Sequence, residues 1–200
     1  MKVLLKFIIK LYYIIFFRVE VRGTENWLMG EAKVVCSNHI SQHDPVVIGA
    51  YIPEFIRFMA KHTLFKHWYA DKFLRYAGGF PVNRDVNDLG AVKTALKALK
   101  ANESVLIFAE GTRNTTRKPL EVKAGASMIA IKSKVPIQPI TVDSTYKLFS
   151  KVIITIHPIE DMSDYYGKRL SNEEYQEIAQ GVINNIYSNM NLYYTKEGLQ

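Results

Sequence analysis

Two short segments of this chain carry residue types that do chemistry. In Asn38-His39-Ile40-Ser41-Gln42-His43-Asp44, a histidine stands five positions before an aspartate. An imidazole accepts a proton near neutral pH, and a carboxylate on one ring nitrogen fixes the tautomer and leaves the other nitrogen free. His39 and Asp44 therefore supply the parts of a general base and its orienting group. In Phe108-Ala109-Glu110-Gly111-Thr112-Arg113, Gly111 permits close backbone approach, Thr112 offers a hydroxyl donor and Arg113 a two-pronged grip on phosphate. Base and anion site together point to chemistry on a phosphorylated substrate. A His-x4-Asp spacing arises by chance about 0.2 times in a chain of this composition, so the weight rests on the combination.

Each part also has a plainer role. Asp44-Pro45 supplies an N-cap and a first-turn proline for a helix to about Tyr51. Glu110 to Arg113 can be a charged surface turn. Two further cations, Arg84 and Lys123, follow predicted element ends and are expected at the same anion site. His43 competes as the base, but its adjacency to Asp44 points it elsewhere; His62, His67 and His157 have no nearby constellation and read as surface or packing residues. A metal-dependent phosphoesterase would use His39, His43 and Asp44 as ligands. Pro45 argues against a helix running through Asp44, and no second ligand cluster exists, so no metal is expected. Gly125-Ala126-Ser127-Met128-Ile129 lacks the second glycine of a serine nucleophile elbow. The single cysteine, Cys36, excludes an intrachain disulfide and sits in an apolar run, as a buried small residue does.

Elements must hold these groups in place. Runs at 19–21, 33–36, 55–60, 79–82, 104–108, 137–142 and 152–157 read as strands, and helices are predicted at 44–51, 63–76 and 88–101. Ser171 and Glu174 have capping-box spacing before a last helix whose stripe runs Tyr175, Ile178, Val182, Ile186, Met190. The expected fold is a single α/β domain with a mixed, largely parallel sheet flanked by helices. In such a sheet, sites lie at loops leaving the carboxyl ends of strands, where His39 and the Glu110 turn both fall.

From Val3 to Phe17 the chain is apolar except for Lys6 and Lys10, a stretch shorter than the ~20 residues needed to span a bilayer. At 100° per residue Lys2, Lys6 and Lys10 share a sector of about 80°, and Leu4, Leu5, Ile8, Ile9, Tyr12, Ile15 and Phe16 fill the rest. Residues 1–18 thus read as an amphipathic helix lying in the membrane interface, ahead of a domain at 19–200. A core-covering helix with its lysines toward water is the alternative. The interrupting lysines and the following Arg18-Val19-Glu20 argue against a cleaved secretory signal, so the segment is expected to be retained. The net charge of +7 favours anionic partners. Scattered basic residues without an aromatic-basic signature speak against nucleic acid.

Four blocks between Asn38 and Pro139, half of the chain, resemble in order those of the 1-acylglycerol-3-phosphate acyltransferases and related glycerolipid acyltransferases. The N-H-x4-D block matches Asn38, His39 and Asp44; the glycine-aromatic-x-x-x-Arg block, Gly79, Phe80 and Arg84; the F-P-E-G-T-R block, Phe108 and Glu110 to Arg113; the V-P-I-x-P block, Val135 to Ile137 and Pro139. Ala109 replaces the usual proline, Ile40 a frequent polar residue, and Asp85 partly offsets Arg84. The resemblance implies His39 as catalytic base, Asp44 as its partner, and Arg84, Glu110, Gly111, Thr112 and Arg113 as the glycerol phosphate site. It implies acyl transfer from acyl-CoA or acyl carrier protein to the sn-2 hydroxyl of lysophosphatidate, without a cofactor, at the cytoplasmic face of the membrane as a peripheral or monotopic protein. Another lysophospholipid acceptor, or a non-catalytic protein that merely binds anionic lipid, are the alternatives.

Overall fold

Val34, Val35 and Cys36 are apolar on both faces of the strand, and all three are fully buried. Burying such a side chain contributes about 1.5–3 kcal/mol, so this run takes the middle of a sheet covered on both sides. The computed structural model describes residues 2–86, 88–114, 116 and 118–190, apart from the Lys2 side chain. The predicted segment ends at Met1 and 191–200 lie outside the described residues.

The elements follow as α1 (Lys2–Phe16), β1 (Arg18–Arg22), β2 (Val34–Ser37), α2 (Asp44–Tyr51), β3 (Arg57–Lys61), α3 (Trp68–Tyr76), β4 (Gly79–Val82), α4 (Leu89–Lys100), β5 (Val105–Ile107), α5 (Gly125–Ser133), β6 (Ile137–Ser144), β7 (Lys151–Ile156) and α6 (Asn172–Ser188). One seven-stranded sheet runs β1-β7-β6-β2-β5-β3-β4. Every neighbouring pair is parallel except β6 and β7. The mixed, largely parallel α/β sheet predicted from the sequence is therefore the observed fold.

Strand alternation divides the core. Val34, Cys36, Val105, Ile107 and Ile137 pack under α4, α5 and α6, whereas Val35, Leu106, Ile140 and Ile154 meet α1 and α2. Helix α4 starts where the Asp88 side chain accepts from the Ala91 N–H, and α6 starts with the predicted capping box of Ser171 and Glu174. Burial pushes the Cys36 thiol up to about 12, which removes it as a thiolate nucleophile.

Three sequence expectations are corrected. The helix predicted at 63–76 is two pieces, a 3-10 turn at His62–Phe65 and α3, because His67 is extended between them. No helix was predicted at 125–133, where α5 lies: Ala126, Ser127, Ile129, Ala130 and Ile131 are all buried, so its sequence lacks a polar stripe. In α1, finally, Lys6 and Lys10 do not point out to water. Lys6 Nζ donates to the carbonyls of Ile52 (3.0 Å) and Glu54 (2.8 Å), and Lys10 lies over the Tyr51 ring. Val3, Leu4, Phe7, Ile8, Leu11, Ile14 and Ile15 are exposed instead, while Tyr13 and Phe17 are buried. Helix α1 therefore covers part of the core through Tyr13, but Lys6 and Lys10 turn toward α2 and the residues after it rather than toward water, and a large apolar side is left open.

Candidate active site

The loop leaving the carboxyl end of β2 is pinned to β6 by Asn38, whose side chain donates to Val142 O and accepts from Val142 N, both at 2.8 Å. Beyond it His39 Nδ1 lies 2.9 Å from Asp44 Oδ2. The same oxygen accepts the N–H groups of Ile40 and Ser41, each at 2.7 Å. This corrects the N-cap expectation. His43 occupies the N-cap position, and the Asp44 carboxylate turns back over the loop rather than onto its own helix; Pro45 does fall in the first turn. The folded-back loop is what lets residues five apart meet, which a straight helix forbids. With Nδ1 committed to the carboxylate, Nε2 is the nitrogen left to take a proton. The Phe108 ring stacks on the imidazole at 4.1 Å and holds its plane.

Sequence reasoning missed Tyr146. Its hydroxyl donates to Asp44 Oδ1 at 2.8 Å from a residue with φ of 51° just past β6. Burial, then the Asp44 charge, push its pKa far upward, so the phenol stays a donor. Asp44 is fully buried, and its four donors satisfy a carboxylate that would otherwise be costly there. His43 stacks on Tyr146 (4.9 Å) and its Nδ1 meets the Tyr13 hydroxyl at 2.9 Å, turned away from Asp44 as expected. A chain of contacts thereby runs from α1 to the Asp44 carboxylate.

The second loop follows β5. Gly111 closes a turn onto Phe108 O with φ of 66°, a conformation that favours glycine. Glu110 is buried and points inward: Oε2 accepts the His39 N–H at 3.1 Å, and Oε1 accepts Asn114 Nδ2 (2.6 Å) and the Tyr187 hydroxyl (2.8 Å). The Asn114 N–H returns a bond to His39 O at 2.6 Å, so the two loops are tied both ways. Neither Asn114 nor Tyr187 was singled out from the sequence, since no motif spacing points to them.

The cations converge. Arg84 Nη1 donates to Gly111 O at 3.0 Å, and Lys123 Nζ to Arg84 O at 3.1 Å. Burial, and then the nearby Arg113 charge, hold the Arg84 pKa below its ordinary value. Among the described residues neither Arg84 nor Arg113 forms an ion pair with a carboxylate, and two such guanidinium groups suit an anion between them. His39, Arg84, Glu110, Gly111, Thr112, Arg113 and Lys123 line one cavity of about 780 Å³. Its remaining wall is largely apolar, with Leu5 and Ile9 from α1, Val46 and Gly49 from α2, Phe58 from β3, and Phe73 and Leu74 from α3. His43, His62, His67 and His157 do not line it. Among the described residues, no three His, Cys, Asp or Glu side chains gather as metal ligands.

The sequence profile of the Acyltransferase family matches residues 18–143, more than half of the chain. The 1-acyl-sn-glycerol-3-phosphate acyltransferase of Bacillus subtilis is 36% identical over 122 residues, 60% of this chain and 60% of that protein. The 1-acyl-sn-glycerol-3-phosphate acyltransferase alpha of Mus musculus is 32% identical over 154 residues, 76% of this chain and 54% of that protein. The chain thus spans under two thirds of the length of these curated relatives. The crystal structure of the 1-acyl-sn-glycerophosphate (LPA) acyltransferase of Thermotoga maritima superposes with a TM-score of 0.75 at 27% identity, covering 94% of this chain and 78% of that one.

Proposed function

The chain belongs to the Acyltransferase family, and from that premise we propose that it moves a fatty acyl group from a thioester, acyl-CoA or acyl carrier protein, to the sn-2 hydroxyl of 1-acyl-sn-glycerol-3-phosphate, making phosphatidate. The observation that carries the proposal is a single cavity joining the Asp44-oriented imidazole, three cations and an apolar wall. Those are the three needs of a lysophosphatidate: a base for its hydroxyl, charge for its phosphate, and an oily surface for its chain.

His39 Nε2 takes the hydroxyl proton as the oxygen attacks the thioester carbonyl, a contribution of about 10²- to 10⁴-fold. The tetrahedral adduct collapses by breaking the carbon–sulfur bond, and the imidazolium returns its proton to the departing thiolate. The thiolate leaves readily, so no acyl-enzyme, metal or cofactor is required. Arg84, Thr112, Arg113 and Lys123 hold the acceptor phosphate. Glu110 lies in the same turn, but its buried carboxylate takes three internal donors. We therefore give it the task of fixing His39 and the turn rather than touching an anion itself. Residues 1–18, with α1, lie in the membrane interface ahead of the catalytic domain at 19–200, and the protein sits peripherally on the cytoplasmic face. Among the described residues, no helix is long and apolar enough to cross a membrane.

The test is transfer of labelled acyl groups from each donor to lysophosphatidate in mixed micelles, for wild type and His39→Ala. Phosphatidate formation by wild type, reduced at least 10²-fold in the variant, is expected. Inactivity of wild type with both donors would refute the acceptor, and full activity of the variant would refute the base.

A further inference from the structure

We infer that the 3-10 turn His62–Phe65 and α3 form a second bilayer-contacting surface, separate from α1, that seats the chain on an anionic phospholipid membrane. The inference rests on the proposed action on membrane lipid. Helix α3 buries none of its residues. Ala70, Asp71, Leu74 and Tyr76 are only half-buried and the rest of the helix is exposed, so much of its surface is open to a further partner.

What α3 offers outward is aromatic. Trp68 is 78% exposed, Tyr69 60% and Phe73 55%, and Leu64 of the preceding turn is 54% exposed. Scattered single apolar residues are ordinary on a protein surface, whereas a contiguous group marks a contact. Indole and phenol rings settle at the bilayer interface, body toward the acyl chains and polar edge toward the headgroups. Lys66 and Lys72 are exposed in the same stretch, and cations so placed are drawn to acidic headgroups.

The position agrees with the chemistry of the surface. A larger group of exposed apolar residues is on α1. Leu5 and Ile9 of α1 and Phe73 and Leu74 of α3 line the same cavity, so the two exposed faces border one site. A membrane touching both meets the cavity that takes the lipid. An acidic carrier protein would need the lysines but not four exposed apolar side chains, which is why the bilayer is the occupant.

The chain holds two tryptophans, Trp27, which is 5% exposed, and Trp68. Emission of Trp68 therefore reports on this surface directly. The full chain is mixed with vesicles of phosphatidylglycerol and phosphatidylcholine, with and without brominated acyl chains, and binding is measured separately by sedimentation. The expected result is a blue shift and quenching by brominated vesicles in wild type and in Trp27→Phe, and loss of both in Trp68→Phe. Replacing Trp68 and Tyr69 together by serine lowers vesicle partitioning on the order of tenfold, with the circular dichroism spectrum retained. Wild type that sediments with vesicles while Trp68 emission is unchanged overturns the inference and leaves the lipid-enzyme reading standing. No sedimentation at all removes both the α3 surface and the interfacial reading of α1. A Trp68 shift produced by acyl carrier protein and not by vesicles overturns it in favour of a protein partner.

Discussion

Tyr146→Phe removes one oxygen atom and one bond, the 2.8 Å hydrogen bond to Asp44 Oδ1. A hydrogen bond to a charged group contributes about 1.5–3 kcal/mol, and Asp44 is fully buried, so no solvent replaces it. Asp44 keeps its three donors on Oδ2, which places the effect on the imidazole at the low end of that range. At 1.36 kcal/mol per factor of ten, kcat falls about 10- to 30-fold. Tyr146 does not line the cavity, so KM for donor and acceptor stays within a factor of about two. For a domain of this size the same loss lowers Tm by roughly 3–8 °C. Initial rates of phosphatidate formation and thermal melts measure both, with His39→Ala as the second arm of a cycle. Without the imidazole there is nothing for Asp44 to orient, so Tyr146→Phe costs stability but no further rate in that background. Wild-type kcat beside a lowered Tm would show that the hydroxyl merely supports the fold, and the argued link to the base would be wrong.

An added Cβ at Gly49 meets nothing within 4 Å, and the residue lines the apolar wall of the cavity. Gly49→Leu is therefore expected to fold normally, gain about 0.5–1 kcal/mol of helix propensity, and shift acyl preference to shorter chains in a competition between donors. Arg113→Ala raises KM for lysophosphatidate about five- to tenfold with little change in kcat, and the deficit narrows as salt is added, because this side chain is exposed. Burial holds the His157 pKa below its ordinary 6.5. As pH falls, the unfolded chain takes up a proton that the folded chain refuses, so this contribution is complete above about 6.5 and is lost below it. His157→Gln should narrow the gap between melting temperatures at pH 8 and pH 5.5; an unchanged gap would show that other groups carry it.

The alternation of short apolar runs with helical spacing was enough to read a mixed, largely parallel sheet, because both patterns are local. What failed was local too, but ambiguous. The α5 sequence is short and mostly apolar, with a charge only at Lys132 near its end, and carries no clear period, and the extended His67 interrupts a run that spacing alone reads as one helix. Asp44 shows how a correct pairing can follow from a wrong role. Spacing suggested both a cap and a partner for His39, and only the loop's closure, with Ile40 and Ser41 N–H groups on the same oxygen, decides between them. Tyr146 and Tyr187 reach Asp44 and Glu110 across 102 and 77 positions, distances over which one sequence carries no signal. The apolar arm of the cavity is of the same kind, since α1, α2, β3 and α3 each contribute side chains that read separately as core or surface.

The edge strand β1 pairs with β7, Arg18 against Lys151. Every residue between them has to be synthesised before that ladder can form. At about 5–20 residues per second the wait is roughly ten seconds, long against the microseconds in which a helix forms. Throughout it α1 presents its apolar side, and β1 its unpaired backbone, with no sheet yet to receive either. Association with other nascent chains is the hazard of such an interval. The oily helix proposed to rest on a lipid surface in the finished protein is thus also a part of the chain in need of a surface while the rest is being made.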